Sequence, residues 1–131
     1  MIKVSHSKFI ENQLIHNPGY LNNLKADFKK YKEGLGLPLT FGRDVPYDHM
    51  NTLSILKLEE VMHLHLGNFK SHVQQFRRTS NKAHLVYCAG VLETDHYFLI
   101  AILKPDAHAL AKNRQYMIPI GQMAENFRNR Y

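Results

Sequence analysis

Four histidines, His63, His65, His84 and His108, fall in one stretch with Lys70, Arg77, Arg78, Lys82, Tyr87 and Lys104. Imidazole, guanidinium, ammonium and phenol groups can hold and cut an RNA strand without a metal. A base takes the proton from a 2′-hydroxyl, cations meet the charge growing on the phosphoryl oxygens, and a donor assists the departing 5′-oxygen. His108 leads as the proton-transfer group, because it follows an apolar strand and a Lys-Pro turn that could bring it to a sheet face. His63 and His65 come next. Arg78 and Lys104 are the expected phosphate anchors, Arg for its rigid fork of donors. Tyr87 could stack a base or donate a proton, although tyrosines in a sheet are more often buried. Lys70, Arg77, Lys82 and His84 are expected to contact the RNA backbone, for affinity more than for bond breaking. Tyr87 and His84 lie on opposite strand faces, so only one of them should meet RNA.

A metal-dependent nuclease needs a compact carboxylate cluster. Asp44, Asp48, Glu59, Glu60 and Asp106 are scattered instead. His63-x-His65 could hold zinc from one strand face, but spacing does not indicate a third ligand, whether His84 or His108. No metal and no cofactor are therefore expected.

The elements that must position these groups can be read from periodicity. Ile2 to Ser5 reads as a short strand, and Ser7 as the cap of a helix running to His16. Asn17-Pro18 opens a second helix, with Leu21, Leu24, Phe28 and Tyr31 on one face and Gly34 and Gly36 at its end. Leu35 to Asn51 reads as loop with a short helix around Phe41, and Arg43 with Asp44 as a structural pair. Leu53 to Leu58 is ambiguous between helix and strand. In Val61 to Leu66 strict alternation puts Met62, Leu64 and Leu66 on one face and Val61, His63 and His65 on the other. Ala83 to Ala89 and Tyr97 to Leu103 form an antiparallel hairpin, the latter a central strand covered on both faces. Lys104-Pro105 stops it. Asp106 caps a short helix from Ala107 to Lys112, and a last helix begins near Pro119. The sum is one α+β domain over residues 1–131, with N-terminal helices packed on a mostly antiparallel sheet of four to five strands and a C-terminal helix.

The chain has 131 residues and a formal charge of +6, from seventeen Lys and Arg against eleven Asp and Glu. From Gly67 to Leu92 the charged residues are Lys70, Arg77, Arg78 and Lys82, all basic. A stripe of this kind is the usual footprint of a polyanion. Cys88 is the only cysteine, which excludes an intrachain disulfide and suits a reducing cytoplasm. It sits in the apolar run LVYC and reads as packing. No apolar stretch is long enough for a membrane span and no secretory signal is visible, so a cytoplasmic location without membrane contact is expected. The rival reading is a non-catalytic basic nucleic-acid-binding or regulatory protein. Its commonest form, a helix–turn–helix with a basic recognition helix, is not visible here.

Together these residues resemble the YafO family of type II toxin–antitoxin mRNA-cleaving toxins. The resemblance rests on Phe41-Gly-Arg-Asp44, on His63 to Leu66, and on Gln75-Phe76 with Arg78-Thr79. It continues through Ala83 to Cys88, Leu99 to Pro105 with His108, and Met123-Ala-Glu125 with Phe127 and Arg128. It runs from about Lys25 to the C-terminus and departs from the pattern at Arg77 and in the extreme N-terminus. The resemblance implies a small RelE-like domain that cleaves mRNA held in the translating ribosome. It also implies a cognate antitoxin partner, and contacts with rRNA and mRNA. Oligomeric state, monomer or homodimer, stays open.

Overall fold

The structure is a computed structural model that describes residues 1–49, 52–71, 75 and 83–131. The expected anchors Arg77, Arg78 and Lys82 lie outside the described residues. In chain order the elements are β1 (Lys3–His6), α1 (Lys8–Gln13), α2 (Pro18–Lys32), β2 (Phe41–Pro46), α3 (Ser54–Leu58) and β3 (Met62–Leu66). They continue with β4 (Ala83–Ala89), β5 (His96–Leu103), α4 (Ala107–Lys112) and α5 (Arg114–Arg130). The strands form one five-stranded sheet in the order β1-β5-β4-β3-β2. Only β1 and β5 pair in parallel; the other neighbours are antiparallel.

Local chemistry starts the N-terminal helices where the sequence says it should. The Ser7 side chain accepts from the Ile10 amide and begins α1, which ends at Gln13 rather than at His16. Asn17 caps α2 with Pro18 in its first turn, and Leu21, Leu24 and Phe28 are buried. These side chains meet Leu64, Leu66, Leu85, Tyr87, Leu99 and Ile102 from one face of the sheet. The other face carries Val61, Val86, Cys88, Ile100, Ala101 and Leu103, covered by Met117, Ile120, Ala124 and Phe127 of α5. A register shift between Val86 and Tyr87 places Ile100 as the extra residue of β5, between the partners Ala101 and Leu99, and turns Ile100 and Ala101 toward the same core. β5 is covered on both faces as expected, but the middle place in the sheet belongs to β4.

Three expectations are corrected. Residues 41–46 are an edge strand, not loop or helix. Their apolar pattern is weak because the strand is short and its register shifts between Phe41 and Asp44, so pairing with β3 decides the conformation. Being a strand, it sends Arg43 and Asp44 to opposite faces, and Asp44 pairs with Lys32 instead. The last helix begins at Arg114, where the Asn113 side chain accepts from the Tyr116 amide, and Pro119 sits inside it. The arrangement, helices on both faces of a mixed sheet, is RelE-like.

Candidate functional site

α5 packs on β5 and β4. On the part of that sheet face formed by β3 and the start of β4 the sequence places histidines instead of aliphatic side chains, and His65 and His84 are buried there. His65 stands directly opposite His84 across the β3–β4 ladder, and His63 lies two residues along, opposite Val86. The ring centroids of His63, His65 and His84 are 4.5–5.3 Å apart. Tyr47 stacks on His63 with centroids 4.2 Å apart. These rings are part of the lining of a cleft of about 600 Å³. One wall is α4, with His108, Ala111 and Lys112; the other is the segment after β2, with Asp48, His49 and Thr52; Arg43 reaches in from β2.

Burial holds the three clustered imidazoles neutral. His63 is pushed down to about 4, mainly by desolvation and then by His65 and Arg43, against the opposing pull of Asp44 and Asp48. His84 is pushed down to about 3, by desolvation and then by His63, His65 and His108. His65 is also lowered, by desolvation and by Arg43, with a hydrogen bond to the Arg43 backbone opposing. Neutral imidazoles can accept or donate hydrogen bonds but bring no positive charge to a phosphate. Among the described residues the cations at this cleft are Arg43 and Lys112. His108 on α4 and His49 after β2 are the exposed imidazoles of the lining among the described residues.

The expected site residues divide. His63, His65, His84 and His108 come together although they span three elements. Lys104 does not join them: it is exposed and borders a separate hollow with Tyr20, Asp27, Thr40 and Asn68. Lys70 is exposed in the segment after β3 and is not part of the cleft lining. Tyr87 points to the α2 side, as expected from alternation, so His84 is the one of the two on the cleft face. The Tyr87 hydroxyl donates to Asp44 at 2.7 Å and accepts from Lys32 Nζ at 2.9 Å, and its ring packs edge-on against Phe28. Burial first and Asp44 second raise its pKa far above the phenol range. Cys88 is fully buried, and burial pushes its thiol up to about 12, so it packs and does not react. Sequence reasoning missed Arg43 and Lys112. Reading FGRD as a strand separates Arg43 from Asp44, but the register shift between Phe41 and Asp44 decides which of them faces the cleft.

The fold and the cleft together define a RelE-like α+β domain with an imidazole-lined hollow, bordered by Arg43 and Lys112, over β3 and β4 of its sheet. The family described as "Toxin YafO, type II toxin-antitoxin system" matches residues 29–129. The "mRNA interferase toxin YafO" of Escherichia coli (strain K12) is 44% identical over 134 residues, covering 99% of this chain and 100% of that relative. No solved structure matches the chain at a significant level. The chain belongs to the YafO family of type II toxin–antitoxin toxins, a family of mRNA interferases whose members act with a cognate antitoxin. Among the described residues no helix is long and apolar enough to cross a membrane.

Proposed function

We propose that this protein is a ribosome-dependent endoribonuclease that cuts translated mRNA by metal-independent attack of a 2′-hydroxyl, and that the histidine cleft is where it does so. The observation that carries the reading is the convergence of His63, His65, His84 and His108 with Arg43 and Lys112 around one hollow. In the reaction the 2′-oxygen bonds to the neighbouring phosphorus, the bond from phosphorus to the 5′-oxygen breaks, and the 2′-proton leaves while the 5′-oxygen gains one. His108 exchanges the proton. Arg43 and Lys112 meet the charge on the phosphoryl oxygens, where fixed cations in a partly dry cleft act strongly. The neutral imidazoles of His63, His65 and His84 orient the strand by hydrogen bonds. Arg78 and Lys104 remain proposed contacts to the message, and Lys70, Arg77 and Lys82 to rRNA or mRNA phosphates, with the ribosome supplying the rest of the binding surface. A cognate antitoxin covers part of this basic face, by an acidic or amphipathic segment that orders on binding.

The test is single-turnover cleavage of mRNA in a translating complex, beside a salt series of binding constants. His108→Ala should lower the rate at saturation by roughly 10²–10⁴-fold with ribosome affinity nearly intact. Lys82→Ala should weaken binding and flatten its salt dependence. A His108→Ala protein that cuts at the parental rate when fully bound removes His108 from the mechanism. Equal parental rates on naked and ribosome-bound message would reject ribosome dependence.

A further inference from the structure

The histidine cluster has a geometry that RNA positioning does not require. His63, His65 and His84 each present a ring nitrogen such that these atoms lie within 4.8 Å of one another. Among the described residues, Nδ1 of His63, Nδ1 of His65 and both ring nitrogens of His84 have no hydrogen-bond partner. Leaving buried polar atoms unpaired is costly, so such a cluster calls for something that satisfies several at once. We propose that His63, His65 and His84 form a binding site for a divalent transition metal of the zinc class, with one nitrogen from each imidazole and the fourth position open to the cleft.

Metal–nitrogen bonds of about 2.0–2.1 Å in a tetrahedral site put the donor nitrogens roughly 3.3 Å apart. The donor atoms lie within 4.8 Å of one another, so the rings would have to draw in by up to about 1.5 Å to ligate one ion. The backbone already fixes the triangle: His65 and His84 are opposite each other in the ladder, and His63 is the next residue on the same face of β3. Supporting contacts are also present. Tyr47 stacks on His63, and the Arg43 backbone bonds His65, orienting the rings as the outer partners of metal-bound histidines do. Burial keeps all three imidazoles neutral, the form that ligates. An all-imidazole set without carboxylates suits zinc, cobalt, nickel or copper and not magnesium or calcium. Asp48 lines the same cleft and offsets part of the repulsion between a bound cation and Arg43 and Lys112. Spacing alone could not name the third ligand; the β3–β4 register does, and it is His84 and not His108.

The site shares His63, His65 and His84 with the strand-orienting set proposed above but does not rest on that reading, and its test involves no RNA. The full chain, stripped with chelator and dialysed, is titrated with zinc chloride by calorimetry and with cobalt(II) by visible absorption. One equivalent of zinc should bind, and cobalt should give the intense d–d bands of four-coordinate geometry. His63→Gln, His65→Gln and His84→Gln should each weaken zinc binding by about tenfold or more. His16→Ala, at an exposed histidine, should bind as the parent does. Circular dichroism checks that each variant is folded. Because the cobalt spectrum is read on the parent, loss of fold in a variant does not remove the test. Weak octahedral bands, sub-stoichiometric binding, or affinity that survives all three glutamine substitutions would assign the metal to surface histidines and overturn the proposal.

Discussion

Lowering the pH from 7.5 to 5.0 should destabilise this fold through two histidines on one sheet face. His63 is held at about 4 and His84 at about 3 in the folded protein, against 6.5 for a free imidazole. Both folded values are depressed, so between about 6.5 and the folded pKa the unfolded chain takes up protons that the folded chain refuses. Stability is therefore flat above neutrality and falls as the pH drops through that window. At pH 5 each group sits about 1.5 units below its unfolded pKa while still essentially neutral when folded. At 1.36 kcal/mol per unit this costs about 2 kcal/mol per histidine, and about 4 kcal/mol for the pair. That is a large share of the roughly 5–15 kcal/mol that holds a small domain together. The assay is urea unfolding of chelator-treated protein at pH 7.5, 6.0 and 5.0, on the parent and on a His63→Gln, His84→Gln double variant. Carboxylates and the histidines outside the cluster contribute equally to both proteins, so the difference in pH dependence reports on the pair together with its effect on His65. Parent and double variant losing the same stability between pH 7.5 and 5.0 would refute the reasoning.

Other outcomes follow from separate parts of the structure. Tyr87→Phe should cost about 1–2 kcal/mol, because Asp44 loses one of its donors in a largely buried network, and should leave cleavage on saturated ribosomes near the parental rate. A large rate loss with unchanged thermal stability would return Tyr87 to the catalytic set. Gly42→Ala should destabilise by about 1–3 kcal/mol, since its Cβ would come within 2.9 Å of the Gln75 carbonyl oxygen and the Phe69 ring and 3.2 Å of His65 Cβ. Parental stability in chemical denaturation would contradict that packing. Cleavage should persist in chelator while ribosomes stay intact; complete loss, restored by one particular divalent ion, would show that the reaction itself uses a metal. Antitoxin binding should slow hydrogen exchange between Gly67 and Leu92 and at His108, and unchanged protection there would point to a remote mode of inhibition.

Much of the framework was legible because it is written in strong local signals. The Asn17-Pro18 start of α2, the alternation through His63 and His65, and the short connection between β4 and β5 each have one dominant physical cause, and each is where it was expected. β2 was not legible. It is an edge strand with a glycine and a register shift, and its conformation is imposed by β3 and by the Gln75 side chain, which donates to the Pro38 and Phe41 carbonyls. The candidate site was half legible. Alternation put His63 and His65 on one face, but which histidine joins them depends on the β3–β4 register. Sequence proximity misled for Lys104. It stands four residues before His108, yet the turn after β5 leaves it at a hollow on the α2 side while α4 carries His108 to the opposite face.

The misread dipeptide Arg43-Asp44 shows how the fold turns these pieces into a site. On the α2 side, Asp44 accepts hydrogen bonds from Tyr31, Lys32 and Tyr87. The Lys32 ammonium lies 4.9–5.6 Å from the ring centres of Phe28, Tyr31, Tyr87 and Tyr97. A mostly buried carboxylate that meets an ammonium and two hydroxyls is expensive to break, because removing any partner leaves charge or lone pairs unsatisfied. That network fastens an edge strand, which pairing on one side alone would hold weakly, to the helix layer. With Asp44 fixed on the α2 side, the neighbouring Arg43 lines the cleft beside His65. The cation facing the histidines is thus placed by contacts on the far side of the sheet. Substitutions in the Asp44 network should therefore reach the cleft through the position of Arg43, without touching any group in it.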